Sequence, residues 1–138
     1  MSARILVVDD IEANVRLLEA KLTAEYYEVS SAMDGPTALA MAANDLPDII
    51  LLDVMMPHKN GLEVCYELKN DPKMARVPVL ILTALTQTSA KSDDYWKTRS
   101  RADDFITKPF KSADLIKRIE TLLANAAPEG EGQTRLKI

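Results

Sequence analysis

Thiol and imidazole are scarce in this 138-residue chain, which has one cysteine, Cys65, and one histidine, His58. A lone thiol cannot close an internal disulfide. With a single imidazole beside it, it cannot build a thiolate or imidazole metal site either. That usage fits a reducing cytoplasm. Long apolar stretches are missing too: no window approaches the roughly 20 apolar residues of a membrane-crossing helix. Met1-Ser2-Ala3-Arg4 runs straight into a strand-like segment, without the layout of a signal peptide. No membrane insertion is therefore expected. A basic surplus is also lacking, since the formal net charge is −4. Residues 1–70 carry 12 acids and 5 bases (net −7), and residues 71–138 carry 9 acids and 12 bases (net +3). An acidic half does not grip a nucleic-acid backbone, so no direct nucleic-acid contact is expected.

What is present is ordinary globular material: 47% hydrophobic and 28% charged residues, enough for one domain and too apolar for wholesale disorder. Three apolar runs are continuous: Ile5-Leu6-Val7-Val8, Ile49-Ile50-Leu51-Leu52 and Val79-Leu80-Ile81-Leu82. Phe105-Ile106 is a weaker fourth. Continuous runs of this length suit strands covered on both faces, as in a parallel sheet. Tyr27-Glu28-Val29-Ser30 alternates and suggests a strand nearer the edge.

Helical spacing fills the gaps, with apolar sets Val15/Leu18/Leu22, Ala38/Leu39/Ala42, Leu62/Cys65/Leu68 and Leu115/Ile119/Leu122/Leu123. Asp34, Asn60 and Ser112 stand where helix caps belong. The polar stretch 88–100 is a fourth helix in order, with Tyr95 and Trp96 on its packing face. The pattern is strand–helix five times over. It predicts an α/β fold, a (βα)5 doubly wound parallel sheet of flavodoxin-like strand order 2-1-3-4-5. The ordered domain is expected over 1–125. Residues 126–138, enriched in Gly and Pro, read as a flexible tail or the start of a linker.

Ligands of open parallel sheets bind outside the carboxyl ends of the strands. Strand 1 there ends in Asp9-Asp10, strand 3 in Asp53, strand 4 in Thr83 and strand 5 in Thr107-Lys108-Pro109. Each residue alone has a bland reading, as a turn, a cap or a solvated lysine. Together they place three carboxylates, a hydroxyl and an ammonium group on one rim. Crowded carboxylates repel unless a cation sits among them. Mg²⁺ suits this set, because it takes one or two carboxylates and keeps open positions for a phosphoryl oxygen. Asp53 is then placed to act as a nucleophile forming an aspartyl phosphate, with the metal and Lys108 neutralising developing charge.

Ile5-Leu6-Val7-Val8-Asp9-Asp10, Leu51-Leu52-Asp53-Val54-Met55-Met56-Pro57, Leu82-Thr83-Ala84 and Lys108-Pro109-Phe110 resemble the signature of two-component response-regulator receiver domains. The likeness covers about residues 4–124. Residues 1–57 most resemble receivers of diguanylate cyclases, and the stretch around Trp96 and 102–105 looks more like stand-alone receivers.

The resemblance implies roles residue by residue. Asp53 matches the phosphoacceptor. Asp10, Asp53 and the backbone carbonyl of Met55 match direct Mg²⁺ ligands, and Asp9 acts through water. Thr83 and Lys108 match the pair that holds the phosphoryl group, and Phe105 matches the aromatic switch. In the family Lys108-Pro109 is commonly cis. The signalling face would be formed by the fourth helix, the fifth strand and the last helix, and here it includes Lys97, Arg99, Arg101, Phe110, Lys111 and Arg118. Implied partners are a histidine kinase or phosphotransfer protein upstream, and a target protein or a second copy of the chain downstream. The positions two after Asp53 and Thr83 tune hydrolysis in the family. Here they are Met55 and Leu85, which predicts slow loss of the phosphoryl group.

Two departures bear on function. His58-Lys59-Asn60 replaces the more usual Gly-x-Asp near the metal loop. Arg101 stands where the family usually has glycine, a position that favours a left-handed backbone. Three other classes compete. A phosphohydrolase with an Asp nucleophile wants a second Asp two residues on, where Met55 stands. An FMN carrier wants a Ser/Thr/Gly phosphate cradle after strand 1, where Asp9-Asp10 would repel it. A degenerate receiver acting only as a phosphorylation-independent binding module is the third. The expectation is a signalling switch rather than an enzyme.

Overall fold

The structure, a computed structural model, describes residues 3–54, 56, 60–83 and 101–126. Its strands are β1 (Arg4–Val8), β2 (Glu28–Ala32), β3 (Ile49–Asp53), β4 (Val79–Thr83) and β5 (Asp104–Thr107). Its described helices are α1 (Glu12–Ala24), α2 (Gly35–Asn44), α3 (Gly61–Asn70) and α4 (Ser112–Asn125). The helix expected over 88–100 and the tail over 127–138 lie outside the described residues. All pairings are parallel, and the sheet order is β2-β1-β3-β4-β5, as expected.

The continuous apolar runs are explained by burial on both faces. Ile5, Val7, Ile49, Leu51, Leu80, Leu82 and Ile106 point into one core with Leu18 and Leu22 of α1 and Leu115 and Ile119 of α4. Their alternates Leu6, Val8, Ile50, Leu52, Val79 and Ile81 point into a second core, with Ala38 and Ala42 of α2 and Leu62, Cys65 and Leu68 of α3. Period-two alternation thus feeds two helical layers, and neither face of β1, β3 or β4 is left to water. β2 lies at the edge, and its EVSSA sequence alternates accordingly. Among the described residues no helix is long and apolar enough to cross a membrane.

Helix starts follow local chemistry. The Asp34 carboxylate accepts the Thr37 N–H at 2.7 Å, with Pro36 in the first turn of α2. Asn60 and Glu63 form a reciprocal capping box at α3, each bond 2.9 Å. At α4 Ser112 opens the helix as expected, but does not cap it. The helix begins on Ser112 itself, so Lys111 is the cap residue and no side chain caps the end.

One long-range clasp ties α3 to the entrance of β5. The Lys69 ammonium, its side chain 8% exposed, donates to the Ala75 and Val77 carbonyls at 3.2 and 2.9 Å and to Asp103 Oδ2 at 2.7 Å. The same Asp103 oxygen accepts the Val79 N–H at 2.7 Å. Beside it Arg101, at φ 59°, donates to Asn70 Oδ1. The left-handed backbone expected of a glycine is therefore adopted by arginine, at a cost of about 1 kcal/mol that the contact with α3 helps to offset. Removing Asp103 would leave the lysine its two carbonyl acceptors but no counter-charge, and would take the side-chain acceptor from the Val79 N–H. Asp103 itself is 36% exposed, which screens the pair. We expect Asp103→Ala to cost about 2–3 kcal/mol, and Lys69→Met, which removes the buried charge, to cost less. Urea unfolding of the two variants checks the ranking, and a cheaper Asp103→Ala would refute it.

Candidate functional site

The order 2-1-3 makes the chain leave β1 in one direction and β3 in the other, which opens a crevice at their carboxyl ends. Val8 pairs with Leu52, Asp53 with Leu82 and Thr83 with Thr107, so the residues that end each strand reach the same rim. Lys108 follows β5, and its N–H donates to the Thr83 carbonyl at 2.7 Å. The Lys108-Pro109 bond is cis. Gly61, the first residue of α3, donates its N–H to Val54 O at 3.0 Å and so seats the helix against the end of β3.

Three side chains at this rim are polar and yet buried: Asp9 (1% exposed), Asp53 (5%) and Thr83 (2%). Carboxylate oxygens of Asp9, Asp10 and Asp53 lie within 4.8 Å of one another. Lys108 Nζ is 2.8 Å from Asp53 Oδ1 and 3.8 Å from Asp9 Oδ2. Asp9 Oδ1 accepts the Ile11 N–H at 2.9 Å, and its Oδ2 accepts from Asn14 Nδ2 at 3.3 Å. Burial pushes the Asp53 carboxyl above its ordinary range, and the charges of Asp9 and Asp10 add to this. The Lys108 hydrogen bond and charge pull the other way without prevailing.

This donor set fits a hard divalent cation. Asp10 Oδ1 is buried and has no hydrogen-bond partner among the described residues. An orphaned carboxylate oxygen beside two further carboxylates is costly unless a cation fills its open coordination. Three carboxylate oxygen donors, with no sulfur or imidazole joining them among the described residues, suit Mg²⁺ rather than a softer metal.

The expected site residues fall in different places. Asp9, Asp10, Asp53, Thr83 and Lys108 converge on the rim. Phe105 stands half-buried on β5 against the core shared by α2 and α3. Met55, Leu85, Lys97 and Arg99 lie outside the described residues, as do His58 and Lys59.

The other expected signalling-face residues are spread. Phe110, Lys111 and Arg118 line one groove beside α4. Arg118 is paired with Asp104 at 2.8 Å and also donates to the Phe105 carbonyl at 2.9 Å. Arg101 turns instead toward α3. Sequence reasoning passed over Asn14, which lies one helical turn past the acidic pair, and Gly61, whose capping-box neighbours were the available signal. A second groove of about 480 Å³ runs from Asp9 and Lys108 past Asn14, Leu17, Leu18 and Lys21 of α1 to Pro109 and Phe110.

Comparison with known proteins agrees with this geometry. Residues 5–120 match the response regulator receiver domain. Over 122 residues the chain is 64% identical to the response regulator PleD of Caulobacter vibrioides, covering 88% of this chain and 26% of PleD. The chain spans about a quarter of PleD's length. Among solved structures, the signal receiver domain of a signal transduction histidine kinase from Syntrophus aciditrophicus superposes with a TM-score of 0.85. It is 31% identical, with 91% of this chain and 93% of that one covered. The receiver domain of sensor histidine kinase PA1611 from Pseudomonas aeruginosa, with a magnesium ion in its active-site cleft, superposes with a TM-score of 0.79. It is 28% identical, with 89% and 98% covered.

Proposed function

The chain belongs to the response regulator receiver domain family, whose members are phosphorylation-controlled signalling modules, and from that premise we propose that Asp53 is its phosphoacceptor. The observation that carries the reading is the Asp53 carboxylate itself. It is buried at the end of β3, 2.8 Å from the Lys108 ammonium and grouped with two further carboxylates. An Asp53 oxygen attacks the phosphorus of a phosphohistidine on a kinase or phosphotransfer protein. The P–N bond breaks and its electron pair leaves with the imidazole, which takes a proton. Asp10, Asp53 and the backbone carbonyl of Met55 would hold Mg²⁺, with Asp9 acting through water; the similar receiver domain of PA1611 has a magnesium ion coordinated in its active-site cleft. Bound there, the ion neutralises charge on the transferring phosphoryl oxygens. Lys108 and the Thr83 hydroxyl hold the transferred group by charge and hydrogen bond.

The new acyl phosphate adds charge and acceptor oxygens in place of a carboxylate. Thr83 is drawn to it, Phe105 turns into the space released, and the population shifts to a second packing of β5 and α4. Lys97, Arg99, Phe110, Lys111 and Arg118 then present a basic face to an acidic target or to a second copy, while Arg101, turned toward α3, stands apart from it. The phosphodonor docks over the groove between α1 and the β5–α4 loop, which leads to Lys108.

Incubation with a small acyl phosphate tests this reading. We expect one phosphoryl group per chain, mapped to the Asp53 peptide, with Mg²⁺ present, and almost none with a chelator. Equal incorporation without the metal, or a label on another residue, would overturn it.

A further inference from the structure

Asp9 is nearly sealed from water, and both its carboxylate oxygens are spoken for: Oδ1 by the Ile11 N–H and Oδ2 by the Asn14 side-chain amide. Asn14 sits in the first turn of α1, half-buried, on the wall of the groove that leads to Lys108. Two donors stand near Asp9 Oδ2. The Asn14 amide is 3.3 Å away and neutral, while the Lys108 ammonium is 3.8 Å away and already bonded to Asp53. We infer that Asn14 is a positioning residue for the cation site, fixing the plane of the Asp9 carboxylate and leaving Lys108 to Asp53. This rests on the reading of Asp9, Asp10 and Asp53 as the Mg²⁺ site.

The physical reason is competition for one buried oxygen. Without the amide, Asp9 Oδ2 has no hydrogen-bond partner among the described residues, and a buried unpaired carboxylate oxygen recruits the nearest donor. That donor is Lys108, and closing the 3.8 Å gap draws it away from Asp53. The lysine stays inside the same acidic cluster either way, so the net charge facing a cation is unchanged. What is lost is the alignment of Asp9. Outer partners that orient metal-site carboxylates act on metal affinity in this way.

The test is Mg²⁺ binding by calorimetry to the whole chain, with no phosphodonor present. Asn14→Ala removes the amide and suits a helix; Asn14→Leu removes it while keeping the volume; Asn14→Gln restores an amide donor one methylene further out. We expect the first two to bind Mg²⁺ roughly tenfold more weakly, and Asn14→Gln to recover part of the loss. A merely structural role would lower the unfolding midpoint of the metal-free protein and leave the affinity of the folded protein unchanged. Wild-type affinity in either Asn14→Ala or Asn14→Leu would overturn the inference. Asp10→Asn separates the two levels. If the wild type binds Mg²⁺ and Asp10→Asn does not, the cation site stands whatever Asn14 does. If the wild type binds none, the cation reading falls and this inference with it.

Discussion

Asp53→Asn is expected to abolish phosphoryl uptake and, at the same time, to make the metal-free protein more stable at pH 7. The first effect follows from chemistry: an amide oxygen at this position is too weak a nucleophile to open the donor's phosphorus bond. The second follows from linkage. Burial raises the folded-state pKa of Asp53, with the Asp9 and Asp10 charges adding to it against the pull of Lys108. The folded protein therefore holds its proton to higher pH than the unfolded chain does. Between the two values the folded state binds more protons, so stability falls as pH climbs through that window and stays lower above it. Asparagine carries no such penalty and still offers Lys108 an oxygen to bond. Urea unfolding of both proteins from about pH 3.5 to about pH 7.5 should show the variant's advantage appearing as the pH rises and then levelling off. Equal stability at pH 7 would refute the electrostatic account. Phosphoryl incorporation at normal stoichiometry would show that another residue is the acceptor.

How legible each feature was depends on the range of the interaction that makes it. β1, β3 and β4 could be read from four-residue apolar runs because both faces of each strand are buried, and that demand is written into every residue. The caps at Asp34 and Asn60 are contacts across three residues, so their signal lies in adjacent letters. The rim could be read because parallel topology sends every strand's last residue to the same side. Asn14 was missed because a polar residue in a helix's first turn looks like a solvated one until Asp9 is seen beneath it.

The Lys69–Asp103 clasp was invisible for a different reason. Its members are 34 residues apart, and nothing in either neighbourhood marks one for the other until the sheet brings them together. Arg101 is an intermediate case: the departure from glycine was evident, but the φ of 59° that the arginine must accept, and its contact with Asn70, come from the fold.

Gly61→Ala is expected to be the most damaging single methyl group that can be added near the site. A Cβ at residue 61 would lie 2.1 Å from the Asp53 carbonyl oxygen, 2.8 Å from its carbon and 3.1 Å from Val54 Cα. All three are backbone atoms, so no rotamer change relieves the clash. Either α3 lifts off the end of β3 or the strand end moves. Lifting α3 stretches the Gly61 N–H bond to Val54 O and disturbs the packing of Leu62 and Cys65. Moving the strand end shifts the backbone that carries Asp53 relative to Asp10 and Lys108. Overpacking against rigid backbone belongs at the costly end of its range, so we expect a loss of about 3 kcal/mol or more. That would lower the melting temperature of a domain this size by roughly 10 °C. Mg²⁺ affinity and phosphoryl uptake should fall together in whatever fraction stays folded, because both need the same strand end. Calorimetric melting and acyl-phosphate labelling measure the two losses. A wild-type melting temperature would mean that α3 does not rest on β3 through this glycine, and that contact would then no longer account for the placement of Asp53.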